Sequence, residues 1–564
     1  MTGPLRELGK PVYLLFIVAG AVLAFLSLYP TFFLFYGSIR SAPLGEPGHL
    51  TWANYLQVYS DPETYRLAAN TLFFAAAASL LSVIFALVLA WITVRTNAPF
   101  QSFLELTAVV PNIMPSLLIA ISWVLLLNPN NGILNEFSRI LFGIAPFNIY
   151  GFPGLVFVEA LVLTPLAYLI IAAALRGMDP AFEESARTLG SGEIGVATRI
   201  TFPLIRPAIL AAATLNFVRA AETFDTPAII ALPARIELFT TKIFREAIGS
   251  FPANHNLAAA YGVGLLALTL SFVYVYRKLT AQVERYATVT GKGFRPHRID
   301  LRGWRYPIAI LAFVLLFMMV ILPFLTLVLV SIMPFYQPSW EVLQNATFRH
   351  YVNMLHDDRI YRAFQNSLFL AVAGATVCVF FAAIISYLTV KTKIAGRGIL
   401  ESLAFVPWAF PGAALAIGIL WAYINFPIPV YATVWILMIA YVTRFLPYGL
   451  RSVSSTIVQI HADLEEASAA CGAGWLATFR RILLPLMRPG MVAGWIILAT
   501  FFIREFSCSI FLYSPGAEPL GPLLYFYYQE GTFGSMAGVG VLITLVSVIF
   551  VISSRGLAKA TPVG

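Results

Sequence analysis

The chain has 564 residues, of which 59% are hydrophobic and 11% charged, with a mean hydropathy of +0.81 and a formal net charge of +9. Soluble domains carry about 25% charged residues, so a soluble enzyme, a disordered chain and a nucleic-acid-binding module are excluded. The apolar runs last about 20 residues rather than the roughly 10 of a barrel strand, which leaves an all-α polytopic membrane protein.

About twelve membrane-spanning helices are predicted. The first six lie near 11–36, 70–94, 102–127, 152–175, 205–231 and 257–276. The second six lie near 307–333, 366–390, 400–424, 430–450, 489–513 and 534–554. The first run is too long for the apolar region of a cleavable signal and reads as a retained anchor. With the N-terminus in the cytoplasm, 24 of the 36 Lys and Arg residues fall on the cytoplasmic side and 9 outside. The other three, Arg219, Arg444 and Arg504, lie in or beside apolar runs. Excess basic residues mark cytoplasmic loops, so both termini are expected inside. The chain divides into a first half at 1–276, a basic cytoplasmic linker at 277–306 that includes Lys292 and Arg295, and a second half at 307–564. Cys378, Cys471 and Cys508 are far apart and suggest neither zinc nor a disulfide.

The halves repeat. Asn70-Thr-Leu-Phe73 recurs as Asn366-Ser-Leu-Phe369, Val94-Arg95-Thr96 as Val390-Lys391-Thr392, and Pro111 with Pro115 as Pro407 with Pro411, all at an offset of 296. Further on, Pro165 matches Pro447 at an offset of 282. Each half has an even number of spans, so the repeats run parallel about an axis along the membrane normal. The prolines are ordinary kinks or gating bends near that axis.

The most specific pattern is cytoplasmic and occurs twice, in loops near 179–206 and 461–488. Glu184-Ser-Ala186, Gly190, Ile200 and Pro203 have the spacing of Glu466-Ala-Ser468, Gly472, Ile482 and Pro485. Each copy reads as a short helix ended by a glycine at positive φ, then a second short helix closed by proline. The result is a compact knob with small residues that allow close approach.

This pattern resembles the EAA loop of permease subunits of ATP-binding-cassette importers, with Ser185, Ser468 and Phe202 as mild departures. The resemblance implies the type I importer permease fold and a bacterial cytoplasmic (inner) membrane location. It also implies that Glu183, Glu184, Ala186, Gly190, Pro203, Glu465, Glu466, Ala467, Gly472 and Pro485 form two loops that dock on two copies of an ATPase subunit. ATP and Mg would be bound by that partner, since this chain has no G-x4-G-K-[ST] sequence. A periplasmic or extracellular substrate-binding protein would dock outside, with Arg235, Glu237, Arg359 and Arg362 as exposed contacts. No cofactor, stable metal or nucleic acid is expected on this chain.

Charge inside a membrane is expensive and usually functional. Arg219, Glu222 and Asp225 in the first half, and Arg504, Glu505 and Ser507 in the second, follow the EAA loops and form the expected translocation pathway. Arg444 and Glu159 are further intramembrane ions. The carboxylates suit a hard cation, the arginines suit an anion, or the two sets neutralise each other. The strings at 222–228, 238–244 and 509–516 look like fused ferric-iron importer permeases. Permeases for phosphonate or another oxyanion, thiamine and polyamines share the loops. An ion-coupled secondary transporter would leave both loops unexplained.

Overall fold

A computed structural model describes residues 9–109, 114–283, 298–424 and 426–559. Pro111 and most of the basic linker, with Lys292 and Arg295, lie outside the described residues. Nine helices among the described residues are long and apolar enough to cross a membrane. Five belong to the first half: Val12–Ser38, Pro62–Arg95, Phe152–Gly177, Glu193–Glu222 and His255–Val275. Four belong to the second: Arg302–Ile332, Asp358–Lys391, Trp475–Ile503 and Phe533–Phe550. The chain is therefore an integral, multi-pass helical membrane protein. Helices satisfy their own backbone groups, which lipid cannot do for them.

The remaining expected spans are where the sequence carries prolines or charge. Arg397–Trp408 and Gly412–Tyr423 are set at 107° to each other across a short break, the geometry of a broken span or a re-entrant loop. The run near 102–127 is likewise split into Gln101–Val109 and Ser116–Leu127. Pro115 and Pro411 each stand at the N-cap of the second piece. A proline has no N–H and clashes with the turn before it, so a helix restarts there more readily than it continues. Val434–Ile457 is a 24-residue helix that carries Arg444 and Arg451.

Two expected spans end early. The run near 205–231 is helical only to Glu222, and Asp225–Ile230 is a separate short helix. The run near 489–513 stops at Ile503 and resumes as Ser509–Leu512. Both breaks fall on the intramembrane charges. Periodicity cannot show such breaks, because the apolar residues continue on either side. Two further helices, Phe239–Phe244 and Leu520–Gln529, follow at matching places in the two halves.

The repeats interlock. The first helix of the first half packs along Gly412–Tyr423 of the second, and Leu322–Ile332 of the second packs against Ser116–Leu127 of the first. Glycine permits the first crossing: a Cβ on Gly418 would sit 2.5 Å from the Pro30 carbonyl oxygen. Within the first half, Asn216 Nδ2 donates to Ser82 Oγ at 2.8 Å and to Leu163 O at 3.1 Å, tying three helices together. Past the linker, Ile299 N donates to Arg95 O at 2.8 Å, which pins the start of the second half onto the first.

Gly418→Val should disturb the crossing and cost about 1–3 kcal/mol of stability. Gly398→Val, where a Cβ would meet nothing within 4 Å, should stay within about 0.5 kcal/mol of the parent. Thermal melts of the two variants in detergent check the difference.

Candidate functional site

Both knobs have the expected geometry at their glycines. Ala181–Thr188 ends at Gly190, whose φ is +85°, and Asp463–Ala470 ends at Gly472, whose φ is +77°. Gly190 N donates to Arg187 O at 2.9 Å and Ser191 N to Ala186 O at 3.0 Å. Gly472 N and Ala473 N make the same pair of bonds, to Ala469 O and Ser468 O. A Cβ at either glycine would meet nothing within 4 Å, so backbone conformation alone demands glycine there.

The prolines do not close the second short helix, as their position suggests. Pro203 and Pro485 stand in the first turn of the long helices. The helical path is unbroken from Glu193 to Glu222, 30 residues, and from Trp475 to Ile503, 29 residues. A wide turn makes this possible. Phe202 N reaches back to Ala197 O and Leu484 N to Phe479 O, five residues each, which makes room for a proline ring without a kink. Each path is about 45 Å long at 1.5 Å per residue. It joins a knob to the charged segment directly.

The paired glutamates of each knob divide their roles. Glu183 is 2% exposed. It accepts a 2.7 Å bond from Thr201 Oγ1 and lies 3.3 Å from Arg95, at the end of Pro62–Arg95. Glu465 lies 3.2 Å from Lys391, the equivalent residue. These two glutamates, expected to meet the ATPase, are turned onto their own chain and fasten the knob to the preceding span. Glu184, Glu466 and Ala467 are exposed, Ala186 half-buried. Arg187 bonds Glu193 at 2.9 Å, which raises its pKa and keeps it charged. The sequence reading missed the apolar part of the surface: Phe182, Leu189 and Ile194 on the first knob, and Leu464 and Leu476 on the second, are all exposed.

The far ends of the two long helices line a cavity of about 140 Å³. Arg219, Glu222 and Asp225 reach it from the first half, and Arg444, Arg504, Glu505 and Ser507 from the second, with Ser116 and Glu159 beside them. Glu505 is buried and satisfied: Arg444 Nη1 lies 2.5 Å from Oε1, and the N–H groups of Cys508 and Ser509 donate to its two oxygens at 2.7 and 2.9 Å. It thus starts the Ser509–Leu512 helix. Its partner is Arg444, not the adjacent Arg504, whose guanidinium lies over the Phe501 ring at 4.8 Å. Gly412 makes the space, because a Cβ there would sit 2.7 Å from the Arg444 guanidinium. Glu222 has no hydrogen bond or ion pair among the described residues. No three His, Cys, Asp or Glu side chains are gathered to hold a metal ion among the described residues.

Equivalent positions of the halves meet beside the cavity. Ser507 Oγ donates to Asp225 Oδ1 at 2.6 Å, and Ser116 donates to Oδ2. Asp225 and Ser507 are 282 apart, the repeat offset. Phe224 and Phe506, also 282 apart, stack at 5.7 Å. The repeat axis therefore passes between these pairs. Phe244 packs on Phe224 at 5.0 Å and Tyr525 on Phe506 at 5.4 Å, completing an aromatic seal. The offset marks Phe224 and Phe506 as equivalent, and only the structure shows that they meet. Nothing marks Ser116 except its place after Pro115. Away from the knobs, Arg235 in a turn and Arg359 and Arg362 at the start of Asp358–Lys391 are exposed, whereas Glu237 is paired with Arg245.

Two interlocked helical repeats, with a knob on each and one cavity between them, define a permease. Residues 63–285 and 379–561 match the binding-protein-dependent transport system inner membrane component family, and the chain belongs to it. With both matches in one chain, it is a fused ABC importer permease. It is 26% identical to a putative ferric transport system permease protein of Haemophilus influenzae, over 85% of this chain and 74% of the relative. It is 24% identical to a ferric transport system permease protein of Actinobacillus pleuropneumoniae, over 89% of this chain and 74% of the relative. A probable ABC transporter permease of Sinorhizobium fredii is 26% identical over 90% of this chain and 88% of its own. Among solved structures, a bacterial ABC transporter involved in alginate import is similar over 49% of this chain and 98% of its own, at a TM-score of 0.41 and 16% identity.

Glu183→Gln leaves Arg95 buried beside a neutral group and should cost about 3–5 kcal/mol. Glu184→Gln, on the exposed face, should change stability by less than about 0.5 kcal/mol. Melting curves of the purified permease distinguish the fastening residue from the surface one.

Proposed function

We propose that this chain forms the whole transmembrane pathway of an ABC importer for ferric iron. One observation carries the reading. Two knobs of identical spacing are each joined by an unbroken helix to opposite walls of a single charged cavity. Ferric transport is in the names of two relatives that match across most of the chain.

In this reading the knobs face the cytoplasm, as do both termini. Two ATPase subunits, carrying ATP and Mg, take one knob each. Their clefts receive Phe182, Leu189 and Ile194 on one side and Leu464 and Leu476 on the other, with Glu184 and Glu466 at the rim. Closure of the ATPases displaces the knobs, and the long helices carry the displacement to the cavity. The Phe224–Phe506 stack and the Asp225–Ser507 bond join the two halves, so they part when the helix ends separate. A substrate-binding protein on the outer loops then delivers its cargo. The exposed arginines Arg235, Arg359 and Arg362 suit an acidic docking face.

Within the cavity Glu222 and Asp225 are hard oxygen donors for a passing cation. Glu222 is the carboxylate that can turn to the cargo without breaking a bond. Glu505 holds Arg444 and a helix start, so its role is to shape the wall. The three arginines favour a second reading, an oxyanion cargo, which the same measurements separate.

Gly190→Val with Gly472→Val forces a β-branched residue into positive φ at both knobs. The double variant should insert normally, while the ATPase recovered with it falls about tenfold, the equivalent of roughly 1.4 kcal/mol of docking energy. Undiminished recovery and transport would refute the coupling role. For the cargo, Glu222→Gln should sharply reduce ferric iron uptake per inserted permease with melting unchanged. Glu505→Gln should instead lower the melting temperature. Full iron uptake by Glu222→Gln would exclude its role on the cation, whereas no iron uptake by the parent, with phosphonate uptake that Arg504→Gln abolishes, would establish the oxyanion reading.

A further inference from the structure

We propose that the groove between Asp358–Lys391 and Trp475–Ile503 is a binding site for one anionic phospholipid. The groove has a volume of about 340 Å³ and is walled by Val379, Phe380, Leu484, Met491, Val492 and Trp495. Its neutral polar side chains satisfy each other, since Trp495 Nε1 donates to Thr376 Oγ1 at 2.9 Å. What remains open is apolar. The surface around it faces the bilayer: Val377, Phe380, Leu486 and Ile497 are all exposed.

Charge selects the occupant. Arg488 lines the knob-side half of the groove, one turn beyond Leu484. Arg481 stands seven residues earlier, nearer the second knob and within the wide turn at Phe479–Leu483. Both are exposed. Neither has a hydrogen bond or ion pair among the described residues. Trp495 lies about 10 Å deeper along the helix than Arg488. Two unpaired guanidiniums above an apolar trough, with an indole at depth, match a phosphate headgroup and its acyl chain. A free anion would use the arginines and leave the trough empty. The first half keeps the cations, as Arg199 and Arg206, but has Leu80 and Ala213 in place of Thr376 and Trp495, so the tryptophan wall belongs to the second half alone.

The occupied helix is the one that joins the second knob to the cavity, so a bound lipid braces that connection. The test is native mass spectrometry of the full permease in detergent, titrated with phosphatidylglycerol or phosphatidylethanolamine, with melting curves as the folding control. One phosphatidylglycerol should be retained about tenfold more tightly than phosphatidylethanolamine. Arg481→Gln with Arg488→Gln should abolish that preference. Val492→Trp, which fills the trough, should remove retention while both arginines stay. Equal retention of the two lipids, retention unchanged in the arginine variant, or displacement of the lipid by millimolar inorganic phosphate alone would overturn the proposal. Should Val492→Trp fail to fold, the arginine variant, altered only at exposed positions, still decides.

Discussion

A helix that stops inside a membrane must find partners for the N–H and C=O groups it releases, because lipid offers none. The site is arranged around that constraint. Both long helices stop inside continuous apolar runs, at Glu222 and at Ile503, and short helices begin a few residues later. In the second half Glu505 supplies acceptors to Cys508 N and Ser509 N and is itself neutralised by Arg444. Arg444 in turn fits because residue 412 has no side chain. A backbone break thus calls for a carboxylate, the carboxylate for a guanidinium, and the guanidinium for a glycine on a third helix. The cavity is the space this arrangement leaves open.

The same economy governs the ends that carry the knobs. The fastening pairs, Glu183 with Arg95 and Glu465 with Lys391, join each knob to the end of the span before it. The wide turns at Ala197–Thr201 and Phe479–Leu483 keep the following helix unbroken through a proline. Each knob is therefore held at both edges by its own half. A rigid knob can deliver a displacement instead of absorbing it.

Much of this was legible in the residues. The apolar runs located the helices, the offsets of 296 and 282 exposed the repeat, and the spacing of Gly190 and Gly472 foretold two turns at positive φ. Helix ends inside the membrane were not legible, since hydrophobicity continues past Glu222 and Ile503. The partner of Glu505 was not legible either. Arg504 is adjacent in sequence, but consecutive residues do not face each other, and the contact came from Arg444 on another helix. The inward turn of Glu183 escaped for a related reason: in a Glu-Glu pair on a short helix, only packing decides which one is covered.

The repeat is faithful in backbone and unfaithful in charge. Glu222 stands where the second half has Arg504, Thr223 where it has Glu505, and Asp225 where it has Ser507. Two identical halves could not build this site. A symmetric pair would set aspartate against aspartate across the axis, where Ser507 now donates to Asp225, and two like charges so close repel in a poorly screened interior. Joining the halves in one polypeptide frees each position from mirroring its twin. Facing positions can then differ, an aspartate on one side of the axis and a serine on the other, which the symmetry of a homodimeric permease forbids.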